Sequence, residues 1–271
     1  MKEKPVLIDS RLEMFGRVAV ITFQRDDVRN ALTGTALVED LMKVLVWANC
    51  AEEVSVLVIT GDGSAFSSGG NVREMSEKRG IFGGSVQQIQ DQYRRGIQQI
   101  PLAMEASEVP LIAAINGPAI GAGFDLACMC DMRLASSQAV MGETFVNLGI
   151  IPGDGGAWFL QRLIGYQRAA ELTLTGRLIS APEALQLGIL LEVLEPDMLI
   201  GRALELAAQM ASKPPRTVRM TKRLLKHAQR GTLPDFLDLC ACFQGMAHHT
   251  DDHVEAVSAF LEKRPGIYTG A

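Results

Sequence analysis

The stretch GPAIGAGFDLACMC, residues 117–130, sets one carboxylate, Asp125, in an apolar run that follows three glycines and a proline. Two more acids, Glu143 and Asp154, lie in a second small-residue segment, MGETFVNLGIIPGDGGAWFLQRLIG, residues 141–165. Carboxyl groups sharing an apolar pocket can act as an acid–base pair near neutral pH, because burial and a neighbouring like charge both raise a pKa. Each acid also has an ordinary role. Asp125 would stabilise the start of a helix, Asp154 would serve as an N-cap or turn acid before Gly155 and Gly156, and Glu143 would be a solvated acid at a strand end.

Two loops of shared design surround these acids. AFSSGGNVREM (65–75) follows the apolar run VLVIT, and NGPAIGAGFDL (116–126) follows LIAAI. A strand, a small-residue loop and a helix leave unpaired backbone N–H groups at the helix start, where they favour a negative oxygen. Two such loops side by side would form an oxyanion hole. Neither loop has the spacing of a dinucleotide or P-loop motif, and either alone would pass for a tight turn.

Other candidate clusters carry less. His249 and His253 stand four residues apart in HHTDDH (248–253), without the H-E-x-x-H pattern, and no metal site is expected. Cys128/Cys130 and Cys240/Cys242 are two apart in expected helices and do not share a face, so buried free thiols are expected. Trp47 and Trp158 read as core. Ser67 and Ser68 have no triad partner in prospect, since all four histidines follow residue 226.

The elements that must position these groups alternate between strand and helix. VAVITFQ (18–24), VSVLVITG (54–61), PLIAAING (110–117), DMRLASS (131–137) and LLEVLEP (190–196) read as strands. Residues 35–53 and 85–107 read as helix, the latter broken or kinked at Pro101. Beyond residue 197, segments 199–212, 215–230 and 234–264 read as three helices with no strand signal. This rhythm is that of an α/β chain with parallel pairing, a body over 1–197 and a helical region over 198–271. The 271 residues carry a net charge of −5 and no basic block, which argues against nucleic acid. No run is long enough to span a membrane. Five cysteines and the lack of a leader-like apolar start point to the cytoplasm.

Taken in order and spacing, AFSSGGNVREM, AAINGPAIGAGFDLACMCDMRLAS, LGIIPGDGGAWFLQRLIG and LTGRLISAPEALQLGILLEVL resemble the crotonase family, also called the enoyl-CoA hydratase/isomerase family. The tail AFLEKRPG fits as well. The resemblance implies a spiral of repeated ββα units with a C-terminal helical trimerisation region, assembling as a homotrimer or a hexamer. It implies an acyl-CoA thioester as the ligand, coenzyme A entering only as part of the substrate, and no other cofactor. It places the enolate-stabilising N–H groups on Gly70 and Ala122. Asn71, Val72 and Arg73 are implied along the adenine or pantetheine path, Arg25 and Arg29 near the CoA phosphates, and Phe260 with Lys263 at a neighbouring subunit's CoA.

The chain departs from the hydratase pattern at the acids. The first hydratase glutamate falls on Asp125 and the second on Phe145, which cannot transfer a proton. The isomerase acid position falls on Gly153, one residue before Asp154. Asp154 is therefore the expected replacement, with Asp125 as its partner and Glu143 in reserve. Hydration of a 2-enoyl-CoA is the leading expectation. Double-bond isomerisation by a single carboxylate, and acyl-CoA binding without catalysis, are the alternatives.

Overall fold

The computed structural model describes residues 3–271. Its strands are β1 (Ser10–Phe15), β2 (Val18–Phe23), β3 (Val56–Gly61), β4 (Leu111–Ile115), β5 (Ala119–Ile120), β6 (Met132–Ser136), β7 (Val140–Gly142), β8 (Ile179–Ser180) and β9 (Glu192–Leu194). Its α-helices are α1 (Leu37–Cys50), α2 (Val72–Ser76), α3 (Val86–Arg95), α4 (Gln99–Ala106), α5 (Ala122–Met129), α6 (Gly156–Ile164), α7 (Tyr166–Thr175), α8 (Ala181–Gln186), α9 (Leu199–Ala211), α10 (Pro215–Ala228), α11 (Leu233–His248) and α12 (Asp251–Glu262).

Six strands form one sheet in the order β1-β2-β3-β4-β6-β9, parallel except for the β1–β2 hairpin. The middle strands read as unbroken apolar runs because both faces are covered. Ala19, Ile21, Leu57, Ile59, Leu111 and Ala113 face α1, α4 and α5 in the main core. Their alternates Val18, Val20, Val56, Val58, Ile112 and Ala114 face Leu199, Ala203 and Ala207 of α9. α9, the first helix beyond residue 198, thus packs on the large sheet, and α10 is tied to the body through Arg219, Lys222 and Lys226.

A second, smaller stack runs alongside. β5 pairs parallel with β7, and β7 antiparallel with β8. Single bridges Ser67–Ala119 and Ala31–Gly69 extend the stack. Each turn of chain contributes a strand to the large sheet, a short rung to the small stack and then a helix, which is a spiral of ββα units.

Two boundaries differ from expectation. The 85–107 helix breaks at Gly96, and Pro101 is the third residue of α4, where its missing N–H costs nothing. The last helical segment splits at Thr250, whose hydroxyl accepts a bond from His253 N and caps α12.

Candidate active site

Glycine brings the two loops together. A Cβ on Gly69 would stand 2.5 Å from Ile120 O and 2.8 Å from Ala122 N, and one on Gly123 would stand 2.2 Å from Ser67 O. Gly69 also has φ +75°, in the region that favours glycine. Main chain therefore lies directly on main chain. Ile120 N donates to Ser67 O, and the buried Ser67 hydroxyl donates to Asn30 O, so that serine is structural. Ala122 is the first residue of α5, and Gly70 directly follows the glycine that abuts it. Among the described residues, neither the Gly70 nor the Ala122 N–H donates a backbone hydrogen bond.

The three acids also converge. Asp125 and Glu143 are fully buried and Asp154 is 4% exposed. No donor reaches either oxygen of Asp125 or Glu143, nor Oδ1 of Asp154. What adjoins each carboxyl is another carboxyl, Asp125 lying between Glu143 and Asp154. Such neighbours can bond only when one is protonated. Burial, then the charges of Asp154 and Glu143, drive Asp125 well above the usual carboxylate range. Burial pushes Glu143 up to about 7 and raises Asp154 as well. A proton shared within the cluster lets one carboxyl donate to its neighbour. Its carboxyl packs on Gly156 at the start of α6, where helix polarity moderates the cost of a negative charge in the cluster.

An apolar chamber adjoins this cluster. Met75, Phe82, Ile89, Tyr93, Leu148 and Ile150 line a cavity of about 580 Å³. Met75 and Phe82 reach the space beside Gly70. Tyr93 packs on Gly153 and, through burial and the charge of Asp154, has its hydroxyl pKa raised. Gln98 Nε2 donates to Gly153 O at 2.7 Å and holds the acid-bearing loop against α4. The Phe145 ring lies 3.6 Å from where a Cβ on Gly121 would stand. Tyr93, the aromatic residue in a Gln-rich helix, was not singled out by sequence reasoning. Nor was Gly156, whose role depends on a contact 31 residues away in sequence.

A larger cavity of about 760 Å³ lies between α5, α6 and α10 and contains none of the three acids. Orphaned carboxyls and free amides, rather than size, mark the site. Trp158 borders that larger cavity and is not core: it is 37% exposed, with Arg162 stacked 3.6 Å from its ring. Trp47 is buried as expected. Cys128 and Cys130 are buried, but Cys240 is half-buried and Cys242 exposed, because α11 packs on little besides α10. His253 meets His248 rather than His249, at 3.0 Å.

The implied CoA-binding residues are spread over the first loop and the tail. Arg25 is held by Asp9 at 3.0 Å and Asp27 at 2.8 Å, whereas Arg29 is exposed near Asp26. Asn71 caps α2, accepting from Arg73 N and Glu74 N, and its own N–H donates to Thr33 Oγ1. Val72 and Arg73 are exposed beside it. Phe260 is 83% exposed on α12, and Lys263 ends that helix in a left-handed conformation. No helix among the described residues is long and apolar enough to cross a membrane.

Residues 13–271 match the family model described as enoyl-CoA hydratase/isomerase. The chain is 36% identical over 261 residues to a short-chain-enoyl-CoA hydratase of Clostridium acetobutylicum, covering 93% of this chain and 94% of that protein. It is 34% identical over 254 residues to a 2,3-dehydroadipyl-CoA hydratase of Escherichia coli, covering 94% and 96%. The crystal structure of an enoyl-CoA hydratase from Bacillus anthracis superposes with a TM-score of 0.90 at 34% identity, covering 97% of this chain and 100% of that one. The chain belongs to the enoyl-CoA hydratase/isomerase, or crotonase, family.

Proposed function

We propose that the protein adds water to a 2-enoyl-CoA, using Asp125 and Asp154 in place of the usual two glutamates. The observation that carries this reading is the buried carboxyl cluster beside two loops with unused amides. The thioester oxygen would accept from the Gly70 and Ala122 N–H groups, each worth about 3–4 kcal/mol of transition-state stabilisation. Asp154, the less buried acid next to the chamber, takes a proton from water as its oxygen bonds to C3. Asp125, in the first turn of α5 close to Ala122, delivers its proton to C2 of the enolate. Proton transfer from Asp154 back to Asp125 resets the pair. Met75, Phe82 and Tyr93 would wall the acyl group.

Phe145 favours a second reading. Its ring dries the side of the site where a second glutamate would hold water, which suits double-bond migration by a single carboxylate. Incubation with crotonyl-CoA in deuterated water, followed by mass spectrometry, separates the two. A 3-hydroxybutyryl-CoA product establishes hydration. No water addition, together with a shifted double bond in a longer 3-enoyl-CoA, establishes isomerisation.

Arg29, Asn71, Val72 and Arg73 would border the CoA moiety, with Arg25 joining once released from its acids. Residues 198–271 would build a homotrimer, or a hexamer of two trimers, with Phe260 and Lys263 reaching a neighbour's CoA. The exposed apolar residues Leu233, Leu237 and Met246 of α11 support assembly. The free thiols support a reducing cytoplasm as the working place.

A further inference from the structure

We infer that Glu143 is a proton reservoir behind the reacting pair, exchanging protons between Asp125 and solvent on the α7 side while the acyl group fills the front. The inference rests on the roles proposed above for Asp125 and Asp154. Glu143 is fully buried and both its oxygens lack a donor, which is costly for a group without a task. It lies at the opposite end of the acid string from Asp154. Asp154 faces Tyr93 and the acyl chamber, and none of the chamber's lining residues lies on α7. At the other end the hydroxyl of Thr173 on α7 adjoins Glu143 without completing an ordinary hydrogen bond. Thr173 is half-buried, so the string ends close to solvent there.

The groups facing Glu143 are few. Asp125 and Cys128 come from α5, Asp154 from the loop before α6, and Thr173 from α7. Burial pushes the Cys128 thiol up to about 12, so it stays protonated and does not compete. Burial pushes Glu143 up to about 7, toward the range in which a carboxyl can both take and give a proton at neutral pH. The step is a balanced exchange: the Asp125 carboxylic acid gives its proton to the Glu143 carboxylate, and Glu143 releases it to water near Thr173. The return path runs in reverse. Glu143 does not touch substrate in this scheme; it acts through Asp125.

Internal return of label tests the scheme. A 3-hydroxyacyl-CoA carrying deuterium at C2 is dehydrated and rehydrated by the full-length enzyme in ordinary water. With the path open, deuterium taken up by Asp125 is lost to solvent. In Glu143→Gln and Thr173→Val, deuterium returns to C2, and wash-out per turnover falls on the order of tenfold, at the weak end of acid–base effects because both reacting acids remain. Glu143→Asp and Thr173→Ser restore wash-out. A second arm needs no reaction: the infrared band of the buried carboxylic acid exchanges with deuterated water more slowly in Thr173→Val than in wild type. Unchanged wash-out in both blocking variants, or equal exchange of the infrared band, overturns the inference. If wild type converts no acyl-CoA, the proposed reaction falls and the infrared arm alone decides the proton path.

Discussion

Replacing Gly156 by alanine asks whether the position of the Asp125 carboxyl, rather than its presence, sets the rate. Gly156 opens α6 and its φ lies outside the left-handed region, so alanine fits the backbone. Helix propensity favours the change by up to about 1 kcal/mol. The new Cβ, however, would stand 2.2 Å from Oδ1 and 2.4 Å from Cγ of Asp125, where ordinary contact begins at 3.4 Å. The carboxyl must retreat by about 1 Å, and misplacement on that scale costs on the order of 10²-fold in rate. Overpacking costs about 1–3 kcal/mol, partly offset by the propensity gain, so the variant stays folded. Steady-state hydration of crotonyl-CoA, alongside a thermal melt by circular dichroism, should show kcat falling about 10²-fold with KM much less affected. In the double variant Gly156→Ala/Asp125→Ala the methyl has no carboxyl to displace, so its rate should match Asp125→Ala alone. A folded Gly156→Ala enzyme within about threefold of the wild-type rate would refute the placement of Asp125.

Asp154→Asn should lower turnover of accepted enoyl-CoAs by about 10²–10⁴-fold, and unchanged turnover of every acyl-CoA tested would remove Asp154 from the reaction. Because burial raises the three carboxyl pKa values, the folded chain binds more protons than the unfolded chain between 4.5 and about 7 for Glu143. That contribution to stability is full below the unfolded value and is lost as pH rises through the folded one. The melting temperature of wild type should therefore fall more between about pH 5 and pH 8 than that of Glu143→Gln, and parallel curves would contradict the raised pKa. Lys222 is buried, with Nζ 2.7 Å from both Asp131 Oδ2 and Val109 O. Lys222→Met leaves Asp131 without its cation and should destabilise by about 3–5 kcal/mol in urea unfolding; a loss below about 1 kcal/mol would deny the pair a structural role. Leu237→Asp on α11 should shift sedimentation from that of the proposed trimer or hexamer to that of a single chain, and an unchanged sedimentation coefficient would place the interface elsewhere.

Five of the six strands of the large sheet were legible, the clearest being apolar, β-branched runs such as VAVITF and LIAAI; β1, SRLEMF, was not, because this edge strand mixes polar and apolar residues without such a run. The rungs of the small stack were not. β5 and β8 have two residues each and β7 has three, too short for any periodicity, and their partners lie distant in sequence. Pro101 misled because proline looks like a helix breaker wherever it stands, yet in a first turn it breaks nothing. Trp158 misled because the apolar run around it continues a helix whose outer face meets Arg162 rather than core. The loops and acids of the site were legible as motifs. What could not be read was the packing that gives them meaning: Gly69 against Ala122, Asp125 against Gly156, Tyr93 against Gly153. Each is a contact between residues far apart in sequence, set by the stacking of successive turns of the spiral.

That stacking also explains how the fold tolerates three carboxyls in its interior. A buried ionised carboxyl without a donor is costly, and this cluster holds five oxygens without one. Protonating one member removes part of that cost, since its O–H then bonds a neighbour, and the start of α6 moderates the remaining charge. Asp125 has a shorter side chain than the glutamate of the family pattern, which leaves room for it to meet Asp154 across Gly156. Phe145 stands at the second glutamate position of the family pattern, its ring beside Gly121. In the proposed reaction Asp154 keeps access to the water it deprotonates, Asp125 holds the proton destined for C2, and Glu143 links Asp125 to solvent on the α7 side.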